Sequence, residues 1–250
     1  SALLRAFTLG FEVNARVNLA SALMEYDGGQ FRWSQLVGNG GDAFGAATAC
    51  GVLGGFSSDT LANALGLAGW TAPTAKAANM ATRTAFNSFK YAPYGCVAQV
   101  GLTAAALAEE GYVGEHDVLD ITPGFFEAQG FLTAYRELLD CAPGSPWWIR
   151  DTALKPYPSC RYTHAAIDAV TQYRSRHGLE IADIDAIEVR LNPVAYAMHF
   201  FRHPSPAIAA DHRAPLHGAF NIPYVIAVAL LGRGRGPQWY DPANLRDPAV

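Results

Sequence analysis

The run Ala43-Phe-Gly-Ala-Ala-Thr-Ala-Cys-Gly-Val-Leu53 restricts the fold more than any other stretch of this 250-residue chain. It is long enough for a helix, and its side chains are so small that a neighbouring helix must come almost to backbone contact to bury them. A face of that kind belongs inside a helical bundle. A second small-residue helix is predicted over residues 95–110. Residues 2–23 carry Leu3, Phe7, Phe11, Val13 and Val17 at helical spacing and predict a long first helix that stops near Asp27-Gly28-Gly29. Ser57-Ser58-Asp59 caps a further helix through residue 68. The first half therefore reads as all-helical.

The composition shifts at Cys141-Ala-Pro-Gly-Ser-Pro146, a cluster of the sort that joins domains. Beyond it, residues 147–154 read as extended and residues 163–177 as an amphipathic helix. Residues 184–191 alternate as a strand that ends at Asn192-Pro193, and residues 224–231 look helical again. The expected fold class is mostly α with a smaller α+β domain. A helical bundle domain spans 1–145, an α+β lid domain 146–218, and a helical segment at 219–250 returns to the bundle.

Charged residues make up only 16% of the chain, against a usual share of roughly 25%. Less polar surface is then available to cover the fold, which points to a homo-oligomer. Lys and Arg number 18 against 22 Asp and Glu, a net charge of -4, which argues against nucleic-acid binding by phosphate neutralisation. The longest apolar stretch, 222–231, is too short to span a membrane and contains Pro223. Cys50, Cys96, Cys141 and Cys160 are far apart and form no CxxC pair, so reduced thiols and a cytoplasmic location are expected. The chain opens abruptly within a predicted helix and lacks the order of a secretion signal, so the expectation is that its start has been removed or that a partner segment is missing.

Candidate chemistry concentrates in Lys155-Pro-Tyr-Pro-Ser-Cys-Arg-Tyr-Thr-His164, where two prolines stiffen the backbone and Lys, Tyr, Arg and His project from a short loop. His164 opens a helix, whose positive end favours neutral imidazole, the state that can take a proton. Lys90, in Phe89-Lys-Tyr-Ala-Pro-Tyr-Gly95, precedes a helix of small residues, where a shielded ammonium can hold a carboxylate. The glycine-rich stretch around Asn39 can cradle an anion on backbone N–H groups, although it has neither the GxGxxG spacing nor a P-loop ending. His199 and His203 are four apart, but Pro204 follows and no third ligand is evident, so no metal site is expected. With no Gly-x-Ser-x-Gly elbow, a hydrolase triad is unsupported.

The ordered pieces Gly10-Phe-Glu-Val-Asn-Ala-Arg16, Ala43-Phe-Gly-Ala-Ala47 with Leu53-Gly-Gly55, Lys90 with Gly95 and Gly101-Leu-Thr-Ala-Ala105, Lys155-Pro-Tyr-Pro with Thr163-His164, Ile167-Asp168-Ala169, and Pro223-Tyr224-Val225 run through nearly the whole chain. In this order and spacing the sequence resembles the MmgE/PrpD family, which includes 2-methylcitrate dehydratase, cis-aconitate decarboxylase and iminodisuccinate epimerase. The resemblance implies a dimer with its active site between a helical domain and a lid, and no metal or organic cofactor. It also implies a polyanionic small-molecule carboxylate as substrate. By position, Lys90, Lys155 and Tyr196 match family active-site residues. His164 joins them as a proton carrier, and Arg161, Ser159 and Asn39 are expected to bind substrate.

The chain departs from the family pattern at Val37 and Pro93, where family members commonly carry histidines. The resemblance implies a lyase, a dehydratase or decarboxylase in which lysines stabilise developing negative charge. The alternatives are a diverged isomerase or cyclase of a specialised biosynthetic pathway and a non-catalytic family member.

Overall fold

Two glycines set the first helix crossing. In the computed structural model, α1 (Ala2–Ala20) meets α2 (Asp42–Gly54), and a Cβ built on Gly10 would lie 2.7 Å from the Gly45 carbonyl oxygen. The structure describes residues 1–34, 40–73, 94–198, 201 and 214–250, with the side chains of 214 and 215 excepted. Among these residues, those up to Thr152 form one compact unit and those from Ala153 onward a second.

In the first unit, α1 is capped by the Ser1 hydroxyl, which accepts from the Leu4 N–H. It is followed by a two-stranded antiparallel hairpin, β1 (Met24–Asp27) and β2 (Gln30–Trp33). This hairpin corrects the all-helical expectation for the first half. Its physical cause is Gly28-Gly29, both at positive φ (53° and 85°), the backbone that a tight two-residue hairpin turn requires. Across the strands Tyr26 faces Phe31 with ring centroids 4.8 Å apart, and Glu25 faces Arg32.

After α2, the Ser57 hydroxyl accepts from the Thr60 N–H at 3.1 Å and starts α3 (Ser58–Thr71), and α4 (Tyr94–Glu109) follows. Helices α2, α3 and α4 share a core of Ala43, Ala47, Ala64, Ala68, Val97 and Ala104, the small-residue packing that the sequence predicts. At the α2–α4 crossing a Cβ on Gly101 would sit 2.3 Å from the Ala43 carbonyl oxygen, so only hydrogen fits there. Larger side chains collect beside it, where Phe44 meets Phe125 of the short α5 (Phe125–Ala128) edge-on at 5.0 Å.

A buried ion pair on α1 holds the connector that closes this unit. Arg16 and Glu12 are 2.8 Å apart, with 8% and 7% of their side chains exposed. Arg16 donates to the carbonyls of Leu138, Asp140 and Pro146, and Glu12 accepts from the Trp148 and Ile149 N–H groups at 3.1 Å each. With those two N–H groups turned onto α1, residues Trp148–Asp151 form a 3-10 turn rather than the expected extended segment.

The second unit is built on α6 (Arg161–His177), which Gly178 ends in the left-handed conformation. Short helices α7 (Pro193–Ala197) and α8 (Ala214–Gly218) and the apolar α9 (Ile222–Leu230) follow, then a last turn, α10 (Pro242–Leu245). Residues 219–250, expected to return to the helical domain, contribute α9 to this second unit. There Arg174 of α6 donates to the Leu230 carbonyl at 2.6 Å. Residues 184–191, expected as a strand, have no regular secondary structure. Their alternation selects a face, but no other described segment pairs with them as a ladder. The chain is mostly α, and the strands of its one described sheet lie in the first unit.

Candidate functional site

Pro156 and Pro158 fix two φ angles in the loop that leads into α6 and remove two backbone donors. Three hydrogen bonds then pin the loop. The Tyr157 hydroxyl donates to Asp168 Oδ1 at 2.6 Å, the Tyr240 hydroxyl donates to the Pro158 carbonyl at 2.6 Å, and the Cys160 N–H donates to the Ala219 carbonyl at 2.8 Å. Tyr157, expected to project from the loop with Lys155, Arg161 and His164, is instead buried. Its ring stacks on Trp239 at 5.8 Å, meets the His164 ring edge-on at 5.4 Å and carries the Arg235 guanidinium at 5.6 Å. Burial, together with the Asp168 carboxylate, pushes the phenol's pKa up and keeps it a donor.

Ser159 is also buried, with its oxygen 2.7 Å from the Thr163 hydroxyl. Thr163 gives its proton to the Cys160 carbonyl at 2.8 Å, so the Ser159 hydroxyl is the donor in the pair. Arg161, the first residue of α6, is exposed and lies over the Tyr162 ring at 5.3 Å.

His164 sits half-buried in the first turn of α6, with Nε2 3.3 Å from the Ser159 carbonyl oxygen. A carbonyl only accepts, so Nε2 carries the hydrogen, and in the neutral ring Nδ1 is the nitrogen with the lone pair. Burial lowers the imidazole pKa. The Ser159 carbonyl opposes this, the Lys155 ammonium adds to it, and the Asp168 carboxylate again opposes it. The net direction favours the neutral base form of His164, within the electrostatic reach of the Lys155 cation.

Lys155 itself is exposed. An ammonium in solvent can bind a carboxylate, and a neutral imidazole whose pKa it depresses can take the proton from the carbon next to that carboxylate. The structure thus brings Lys155, His164, Ser159 and Arg161 into one loop and helix start. Lys90, Asn39, Val37, Pro93, His199 and His203 lie outside the described residues.

Tyr196 stands elsewhere in the same unit. Asn192 caps its short helix by accepting from the Ala195 N–H at 2.8 Å, and Tyr196 is 62% exposed at an apolar cavity of about 890 Å³. Ile187, Leu191, Phe201 and Ile226 line that cavity with it, and the Phe201 ring meets Tyr162 of α6 edge-on at 6.1 Å. No hydrogen bond or ring contact joins Tyr196 to Lys155 or His164. Among the described residues no three His, Cys, Asp or Glu side chains gather as metal ligands would, and no helix is long and apolar enough to cross a membrane.

Sequence reading missed the roles of Asp168, Trp239 and Tyr240. A tyrosine between two prolines and an aspartate two turns into the following helix were visible, but their pairing depends on how the loop folds back on α6. In comparison with known families, the model of the MmgE/PrpD N-terminal domain matches residues 1–132 and that of the MmgE/PrpD C-terminal domain matches residues 157–250. The curated proteins contain no match.

Proposed function

The chain belongs to the MmgE/PrpD family, and from that premise we propose that it is a cofactor-independent lyase, a dehydratase or decarboxylase of a citrate-like or related carboxylate. The observation that carries this reading is His164, held neutral with Nδ1 unprotonated in the electrostatic reach of Lys155. Lys155 binds a substrate carboxylate and stabilises the enolate-like charge that develops beside it. In dehydration, His164 Nδ1 takes the proton from the carbon next to the carboxylate, the C–H pair forms the double bond, and the hydroxyl on the following carbon leaves with the C–O pair and takes the proton from the His164 imidazolium to form water. In decarboxylation the C–C pair stays on the substrate carbon as carbon dioxide leaves, and that carbon then takes a proton. Lys90, Arg161 and Asn39 complete the carboxylate binding and Tyr196 the proton handling in the same reading, whereas Ser159, expected to bind substrate, spends its hydroxyl proton on Thr163.

The test uses the purified chain with a panel of small di- and tricarboxylates in deuterated water, followed by proton NMR. Lys155→Ala is expected to abolish turnover while its far-ultraviolet circular dichroism stays that of the parent. Unchanged turnover in that variant counts against the reading.

A second reading, a diverged isomerase or cyclase for a less charged substrate, is favoured by the apolar cavity at Tyr196, whose charged lining among the described residues is Asp185 and Arg190. An ordered tricarboxylate bound at Lys155 in a crystal would contradict it. A cytoplasmic homodimer completes the proposal. Exposed Leu3, Leu4 and Phe7 on one helix support self-association, and light scattering measures it.

A further inference from the structure

We infer that Arg235 is a further carboxylate-binding cation beside Lys155 and His164, and that it selects substrates with two carboxylates over those with one. Arg235 lies in the glycine-rich turn at residues 232–236 that follows α9, where Gly232 and Gly234 both take positive φ (67° and 80°). The Trp239 indole N–H donates to the Gly234 carbonyl at 2.8 Å, and the same indole stacks on Tyr157. One side chain therefore holds both the backbone next to Arg235 and the ring on which its guanidinium rests, 5.6 Å from the Tyr157 centroid. His164 meets that phenol edge-on at 5.4 Å, so a single aromatic ring links the guanidinium to the imidazole.

The guanidinium is accessible and its donors are unspent. Arg235 is exposed, and among the described residues it makes no hydrogen bond or ion pair. Other arginines of the same unit are committed: Arg233 pairs with Asp247, Arg174 with Glu180 and Arg190 with Glu188. The Asp168 carboxylate, at the same phenol, accepts from the Tyr157 hydroxyl at 2.6 Å and forms no ion pair with Arg235. A guanidinium held against an aromatic ring keeps its planar fork of donors, which matches the two oxygens of a carboxylate. Lys155 and Arg235 are thus two cations about one imidazole. On the lyase reading, on which the role in turnover rests, Lys155 takes the carboxylate beside the reacting carbon and Arg235 the one at the far end. Holding both ends keeps the proton to be removed at His164 Nδ1.

The probes are succinate and its monoamide, succinamate, which match in length and differ by one carboxylate. Calorimetry on the whole chain measures their binding and needs no turnover. Succinate is expected to bind the parent about tenfold more tightly than succinamate, and Arg235→Met to remove that difference while succinamate affinity stays at the parent value. Arg235→Lys, which keeps the charge but not the fork, is expected to restore part of it. No binding of succinate, equal affinity for the two probes in the parent, or an Arg235→Met variant that weakens both alike overturns the proposal; the last result would make the arginine a support for the Tyr157 ring. Failure of the lyase reading is seen separately. A chain that favours succinate through Arg235 yet turns over no carboxylate sinks that reading alone, whereas turnover of dicarboxylates with a KM that Arg235→Met leaves unchanged sinks only the role given to Arg235.

Discussion

The Tyr157 hydroxyl and the Asp168 carboxylate, 2.6 Å apart, tie the lysine-bearing loop to the body of α6. Tyr157→Phe keeps the ring on Trp239 and His164 but removes this bond and leaves Asp168 without its phenol donor. Loss of one hydrogen bond to a charged group is expected to cost about 1.5–3 kcal/mol, read as a lower urea midpoint. Turnover is expected to fall further than stability does, because the loop that presents Lys155 loses one of its three anchors. A variant with the lower midpoint and full turnover would show that the bond only holds the fold.

His164 makes the activity depend on pH with a defined sign. Its folded-state pKa is below the ordinary imidazole value, with burial as the first cause. The base form is then already present at pH values where a free histidine is still protonated, and kcat/KM is expected to rise with pH through a midpoint below that of free histidine. Stability follows the same direction. Between the folded and unfolded values the unfolded chain binds more protons, so this contribution is fully present above the unfolded value and is lost as pH falls through the folded one. His164→Asn is expected to remove that acid limb from the rate profile. An acid limb that persists in the variant assigns it to another group.

The Lys155 ammonium is one cause of that depression, so the two residues can be tested against each other without a substrate. Lys155→Met removes the cation and is expected to raise the His164 pKa, observed as a shift of its ring-proton titration by NMR. An unmoved titration would place Lys155 too far from His164 to assist it and would weaken the proposed chemistry.

How far the sequence discloses this molecule depends on which interactions are local. Helices α1 to α4 are legible because apolar spacing, the Ser57 cap and the small faces around Ala43 and Gly101 are properties of the segments themselves. The hairpin signal lies in Asp27-Gly28-Gly29 between Tyr26 and Phe31, but paired glycines end a helix as readily as they turn a hairpin, and the strands on either side are only four residues each. Residues 184–191 show the opposite failure, since alternation sets a face but a strand also needs a partner. The 3-10 turn at Trp148–Asp151 depends on Glu12, far away in sequence. At the site, Lys155 and His164 could be read because they share one loop and helix start. The inward turn of Tyr157 could not, because Asp168 reaches it from α6 and Arg235 and Trp239 from the stretch after α9.

The α2–α4 crossing predicts an intolerance to one methyl group. A Cβ at residue 101 would lie 2.3 Å from the Ala43 carbonyl oxygen and 2.7 Å from the Ala46 Cβ, and the first of these is backbone that cannot rotate away. Gly101→Ala is expected to destabilise the first unit by at least about 1–3 kcal/mol, the usual cost of overpacking, although alanine is the better helix former. The thermal midpoint measures this, and an unchanged or raised midpoint would mean that the two helices separate freely.

The Glu12–Arg16 pair predicts a larger effect from a different cause. Both side chains are buried, and each also binds backbone of the connector, so the pair joins α1 to residues 138–149. Arg16→Met leaves Glu12 as a buried carboxylate held by two N–H groups and no cation. Removing one partner of a buried pair is expected to cost about 3–5 kcal/mol. The double variant with Glu12→Gln is expected to recover part of that loss, because it no longer buries an uncompensated charge. Urea midpoints of the parent, both single variants and the double variant close the cycle. Amide exchange at Trp148 and Ile149 gives an independent reading, since their donors sit on Glu12. Exchange there is expected to quicken in Arg16→Met more than in the α2 core, and equal quickening in both would show that the pair stabilises the unit as a whole rather than the connector.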